Sequence, residues 1–148
     1  MAEEYLVADT GVISYLTKAS EHSRAYNELI GERRLAVSFQ TPAELAAARF
    51  GASRQQQVDD LIAAIVVLPH GEPTNVWYGR VVLRRKELKR GGRAGSDASD
   101  ADVWIISSAL EHSMALLSHD TQQVHLGRAI GLKVLTNLDG LKDDNPSG

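Results

Sequence analysis

The stretch "YLVADTGVISYL", residues 5–16, decides how this chain is read. Tyr5 to Ala8 form a short apolar run that ends on a carboxylate, the pattern of a buried strand. From Gly11 onward, Val12, Ile13 and Leu16 recur at helical spacing. A strand that turns straight into a helix is the start of a β-α unit, and such units build parallel sheets. Asp9 stands at the junction. It can cap the helix that follows, or it can be one wall of a site assembled from several strand ends.

The same alternation runs through the rest of the chain. Helical spacing covers 22–31, closed by Gly31, and Leu35 to Phe39 reads as a second strand. In "TPAELAAARFG" Thr41 suits an N-cap, Pro42 the first helical position and Glu44 the third, with the alanines extending the helix to Gly51. A helix over 54–65, a short strand at 65–68 and a long helix from Pro73 to Arg90 follow. "GGRAGSDASD" is the plain loop signal inside the chain. Ser99-Asp-Ala-Asp102 opens an apolar helix to His112, and Ala115 to Leu117 is a strand tipped by Ser118-His119-Asp120. A helix over 122–129 and a strand over 132–135 complete the set. These elements predict one three-layer α/β/α domain over 1–138, with a central parallel sheet of about four to five strands and a polar, frayed tail over 139–148.

In such sheets ligands bind beyond the C-terminal strand ends. Asp9, Glu44 and Asp120 each follow a strand, and Asp102 opens the main apolar helix. Each has a local explanation: Asp9 as a cap, Glu44 and Asp102 as capping-box partners of Thr41 and Ser99, Asp120 as a turn residue. Taken together they can converge on one crevice. Unpaired carboxylates in a crevice repel, and a divalent cation reverses that penalty. Oxygen ligands in a chain with no cysteine point to Mg²⁺, with Mn²⁺ the second choice, and away from zinc; the five histidines show no zinc spacing and are expected on the surface or around the site. Carboxylate-held Mg²⁺ suits phosphoryl chemistry. No organic cofactor is implied.

With 148 residues, 43% of them hydrophobic, the chain has the material for one domain core. The absence of cysteine excludes disulfides and fits a reducing cytoplasm; no signal peptide is expected, and no apolar run is long enough to span a bilayer. Net charge is −3, unevenly spread. Residues 80–93 hold seven basic residues against Glu87 alone, leaving nine basic residues and eighteen acids elsewhere. This run is either a solvated helix face or the footprint of a polyanion, with Arg84, Arg85, Lys89 and Arg90 as the candidates to contact it. Trp77 and Tyr78 can stack on bases, although an aromatic pair there reads more readily as core or dimer interface.

"LVADTGVISYL", "TPAELAAARFGA" and "DADVWIISSALEHSMALLSHD" together resemble the PIN-domain ribonucleases, specifically the VapC-like toxins of prokaryotic toxin–antitoxin pairs. The resemblance spans residues 5–136. It implies a metal-dependent endoribonuclease in which Asp9, Glu44, Asp102 and Asp120 hold the metal, with Ser118 and Thr10 supporting the site. It further implies an RNA substrate, a homodimer, and a small antitoxin whose basic side chain enters the acid cluster. Two departures stand out. Gly11 replaces a polar residue frequent in the family, and Asp100 competes with Asp102 from two residues away, on a different helix face. Other α/β readings fit less well. A haloacid-dehalogenase-type phosphatase needs an acid where Gly11 stands, and a receiver domain needs paired acids near the first strand. A non-catalytic RNA-binding or scaffold protein on the same fold, and a housekeeping nuclease with no antitoxin, are the alternatives in function.

Overall fold

The four residues of the first strand, β1 (Tyr5–Ala8), point alternately to two different cores. Val7 faces one and Leu6 and Ala8 face the other, as the period of two in a strand requires. The structure, a computed structural model, describes residues 4–143. In chain order the elements are β1, α1 (Thr10–Leu16), α2 (Glu21–Ile30), β2 (Arg34–Ser38), α3 (Thr41–Ala47), α4 (Ala52–Ala64), β3 (Val66–Leu68), α5 (Glu72–Arg90), α6 (Asp100–Glu111), β4 (Ala115–Leu117), α7 (Thr121–Ala129) and β5 (Val134–Leu135).

The five strands form one sheet, ordered β3-β2-β1-β4-β5, in which every pairing is parallel. The register sets Val7 opposite Ala36 on one side and Leu116 on the other, with Leu116 opposite Val134. These side chains share a face with Val81 and Leu88 of α5, Ile106 of α6 and Val124 of α7. The opposite face carries Leu6, Ala8, Val37 and Leu117, covered by Val12 and Ile13 of α1, Tyr26 of α2, Leu45 of α3 and Val58 of α4. Helices therefore cover both faces, the expected three layers, and strands buried on both sides read as continuous apolar runs. From β1 the chain moves outward through β2 and β3, then returns to lay β4 against the other side of β1. That reversal between β1 and β4 is the switch point at which a crevice opens beyond the strand ends.

Three local readings are corrected. Thr41 does not cap α3; Gln40 does, with no side-chain cap bond. The Gln40 side chain is engaged elsewhere, donating to the Ala101 carbonyl (2.9 Å) and accepting from Ser38 Oγ (2.5 Å). Next, α3 stops at Ala47 rather than near Gly51, because Ala48 turns to extended backbone (φ −73°, ψ 144°). Continued as a helix, Phe50 would stand five residues beyond Leu45, about 140° around the axis from the buried face; instead it packs against the α1–α4 core. Finally, β5 begins at Val134, since the Leu132 N–H bonds the Gly127 carbonyl (2.9 Å) and closes α7.

The 91–99 loop is docked rather than plain. Gln122 Oε1 accepts from the N–H groups of Gly95 (3.1 Å) and Asp97 (3.2 Å). Gly95 lies at φ +100°, and a Cβ there would come within 2.8 Å of the Leu126 backbone nitrogen. Tyr78 stacks on Trp104 with ring centroids 3.9 Å apart, which makes it part of the α5–α6 seam; Trp77 instead packs its ring against the Arg80 guanidinium at 4.7 Å. Leu138 and Leu141 rest on the α5–α7 core, so packing continues past residue 138, while the end of the expected tail, 144–148, lies outside the described residues.

Candidate active site

Each of the four acids is carried to the same end of the sheet by a different element. Asp9 ends β1 and caps α1, Glu44 lies in the first turns of α3 after β2, Asp102 is in the first turn of α6, and Asp120 caps α7 after β4. All four line one cleft of about 170 Å³, together with Thr10, Gly11, Ile105 and His119. Among the described residues, no Lys or Arg lines it. The concentration of negative charge is thus not offset by the chain's own cations.

Hydrogen bonds fix each carboxylate. Asp9, only 4% exposed, accepts from the Val12 N–H at Oδ1 (2.7 Å) and from the His119 N–H at Oδ2 (3.1 Å). Capping and site-building are therefore compatible in Asp9. Asp102 combines both as well. Its Oδ2 accepts from the Ser99 N–H (2.9 Å) in a capping box, while Oδ1 accepts from Gln123 Nε2 (3.3 Å). Glu44 makes no such box. It lies four residues into a helix that starts at Thr41, and Oε1 accepts from the Thr10 hydroxyl at 3.0 Å. Asp120 accepts from the Gln123 N–H at Oδ1 (2.9 Å).

Ser118 lies buried beneath the cluster. Its Oγ is 2.9 Å from Asp9 Oδ2 and 2.6 Å from Gln123 Oε1, and it accepts from the Asp120 N–H (3.1 Å). One hydroxyl proton serves only one acceptor at a time, so a proton on Asp9 would complete this network. The electrostatics agree. Burial pushes the Asp9 carboxyl up to about 6, against the lowering effect of its hydrogen bonds, with Asp102 adding to the rise. Asp102 is also raised, first by burial and then by Asp120 and Glu44. These acids feel one another's charge.

Asp100 does not reach the cleft. It pairs with Arg85 on the outside of α6 (3.0 Å), which leaves Asp102 as the acid that points inward. The basic run divides as well. Arg84 donates to the Ala129 carbonyl (3.1 Å) and pairs with Glu87, and Arg85 also donates to the Ala98 carbonyl (2.9 Å). Both brace the fold, while Lys89 and Arg90 are exposed. Gly11 leaves the cleft floor open; a Cβ there would meet Asp9 Oδ1 at 3.5 Å, an ordinary contact.

Gln123 was not foreseen, and His119 was expected only on the surface or around the site. Gln123, fully buried, links Ser118 to Asp102. Asp120-x-x-Gln123 has the spacing of a capping box, which places Gln123 near Asp120, but nothing local shows that its amide turns inward. His119 packs edge-on against Tyr15, His22 and Tyr26 at 4.5, 4.8 and 5.5 Å, and its Nδ1 is bonded to the Tyr26 hydroxyl. Burial, with His22 second, lowers its pKa.

The donor set fits a divalent cation: four carboxylates on one cleft, hard oxygen donors, two of them with pKa raised by burial first and by neighbouring carboxylates second. Among the described residues, no three acids or imidazoles already stand in a ligating arrangement. The hydrogen bonds to backbone and side-chain donors hold them instead.

Known proteins agree with the architecture. The PIN domain family model matches residues 6–129. Ribonuclease VapC1 of Haemophilus influenzae is 29% identical over 121 residues, covering 78% of this chain and 86% of that protein. The structure of VapBC2 from Rickettsia felis, bound to a promoter DNA fragment, superposes with a TM-score of 0.67 at 17% identity, over 89% of this chain and 98% of that one. VapBC-1 from nontypeable Haemophilus influenzae gives 0.64 at 24% identity, over 89% and 97%. With the match running from the first strand through α7, and with the sheet order and layers described above, this chain belongs to the PIN domain family.

Proposed function

We propose that this chain is a Mg²⁺-dependent endoribonuclease and the toxin of a toxin–antitoxin pair. The observation that carries the reading is the convergence of Asp9, Glu44, Asp102 and Asp120 on one cleft that, among the described residues, no Lys or Arg lines. The similarity to a protein named Ribonuclease VapC1 supports RNA as the substrate. The four acids would hold Mg²⁺ or Mn²⁺, which when bound supplies an activated water and charge neutralisation at a phosphodiester. The chain's own groups do the positioning. Thr10 aims Glu44, Ser118 and the His119 N–H fix Asp9, and Gln123 ties Asp102 to that network. Gly11 and Ile105 complete the lining of the cleft, with no side chain at Gly11 to obstruct the backbone of a substrate.

The test is cleavage of single-stranded RNA by the purified protein with Mg²⁺, with and without EDTA. Metal-dependent internal cuts are expected. RNA left intact under all divalent ions tried, by a protein that binds it, would favour the non-catalytic reading instead.

Regulation follows from the same charge. A crevice lined by four acids is a receptor for a basic side chain on a flexible segment, and an Arg fork suits carboxylates best. The antitoxin is such a partner in this reading, and the similarity to VapBC structures supports it. A homodimer in the cytoplasm completes the proposal; among the described residues no helix is long and apolar enough to cross a membrane. Expression without the partner should arrest growth, and Asp102→Asn should relieve the arrest. Harmless expression of a protein that is an active nuclease in vitro would leave a housekeeping nuclease as the better account.

A further inference from the structure

His119 borders two spaces. One is the carboxylate cleft; the other is a pocket of about 380 Å³, lined by Glu21, His22, Asn137, Asp139 and Lys142 among others. The two spaces therefore share one residue, whose side chain is an imidazole. That ring is locked in place by the Tyr26 hydroxyl at Nδ1 and by edge-on packing against three rings. The His22 ring stands beside it with centroids 4.8 Å apart and is held by Asn137 (3.1 Å from Nδ1 to Nδ2). Both imidazoles are only partly buried and line the pocket. No part of the proposed metal chemistry uses this pocket.

We infer that the pocket bounded by His22 and His119 is a nucleobase subsite, which takes the unpaired base next to the phosphodiester held in the carboxylate cleft. This rests on the ribonuclease reading above. Single-stranded RNA is gripped by stacking its splayed bases on aromatic rings, histidine included, and by hydrogen bonds to their edges. The rings are supplied by His22 and His119. The edge readers are acceptor-rich: Glu21 and Asp139 offer carboxylates and Asn137 a carbonyl. Such a wall favours the amino groups of guanine, adenine or cytosine over uracil, whose one donor is its N3–H. Lys142, paired loosely with Asp139 at 3.8 Å, stands at the same pocket as a cation for a neighbouring phosphate. The structure thus assigns this pocket the choice of sequence, which the four acids cannot make because every phosphodiester looks alike to them.

The test uses six-nucleotide single-stranded RNAs labelled with fluorescein, bound in Ca²⁺ and followed by anisotropy. One position at a time is made abasic, or changed from an amino-bearing base to uracil. One abasic position should weaken binding to the wild type about tenfold, as expected for one lost stack. His22→Ala should bind every RNA at that weakened level and lose the distinction, and His22→Phe should restore the stacking component. Circular dichroism confirms that each variant is folded. Affinity that ignores both the abasic position and His22 would overturn the subsite. RNA bound with base preference but never cut with Mg²⁺ would refute the nuclease reading while upholding the pocket. RNA neither bound nor cut would overturn both.

Discussion

Asp9→Asn separates the charge of the cluster from its hydrogen bonds. Burial pushes the Asp9 carboxyl from the usual 3.8 up to about 6 in the folded protein. A raised folded value means that the folded state holds a proton more tightly than the unfolded one. This stabilisation is complete below about pH 4 and is lost as pH rises through 6. At about 1.4 kcal/mol per pH unit, the metal-free protein should lose roughly 3 kcal/mol from this group across that window. The asparagine has no charge to lose, so its stability should not carry that component. It keeps an oxygen for the Val12 N–H but turns an amide toward Ser118 and the His119 N–H, which should cost about 1–3 kcal/mol through the N–H left without an acceptor. The variant should therefore be the less stable at pH 4.5 and close to wild type at pH 7.5. Between pH 4.5 and 7.5 about 2 kcal/mol of the wild-type stabilisation is lost, so for a chain of this size the difference should change by roughly 4–8 °C in Tm. The assay is thermal unfolding of both proteins in EDTA from pH 4.5 to 7.5, then at pH 7.5 with Mg²⁺. Mg²⁺ should raise the wild-type Tm, by about 2.7 kcal/mol of stability at a hundred times its Kd, and largely fail to do so for the variant. A Tm difference that stays flat with pH, together with an undiminished Mg²⁺ shift, would refute the account of a charged, metal-binding Asp9.

Glu44→Gln keeps an acceptor for Thr10, so the protein should fold with near-wild-type Tm yet lose cleavage; full activity would remove Glu44 from the site. Asp102→Asn should abolish cleavage, while Asp100→Asn, which only unpairs Arg85, should leave it intact, and the reverse result in a cleavage assay would show that the wrong acid has been assigned. Replacing Lys89 and Arg90 with Gln should flatten the salt dependence of RNA binding by about 1.4 in log–log slope. Arg84→Gln and Arg85→Gln should instead lower Tm, each by about 1 kcal/mol or more of stability, because they cut bonds to backbone carbonyls. Gly95→Ala should destabilise by about 3 kcal/mol, read by urea unfolding, since it forces a side chain at positive φ against the α7 backbone; a neutral result would mean that the loop is free to shift.

Much of this protein was legible along the chain because the signals are local. A strand buried on both faces is a short apolar run whatever it packs against, and each run here is followed by helical spacing, so the layers and the parallel sheet follow from periodicity. The four acids were visible for a similar reason: strand ends in such a sheet share one edge, so Asp9, Glu44 and Asp120 were placed together by topology alone. Local pattern could not decide roles that depend on direction. Thr41-x-x-Glu44 and Ser99-x-x-Asp102 have the same spacing, yet only Asp102 forms the box, because α3 is capped one residue earlier, at Gln40, which moves Glu44 past the third helical position, where the Thr10 hydroxyl takes it. Arg84 and Arg85 look like any exposed cation in a basic run until carbonyls from α7 and the 91–99 loop arrive beside them. Gln123 and the rings around His119 come from segments up to a hundred residues apart, joined only when β4 settles against β1. Contacts of that kind are chosen by the packed core, which selects among side-chain directions that the chain alone leaves equal in energy.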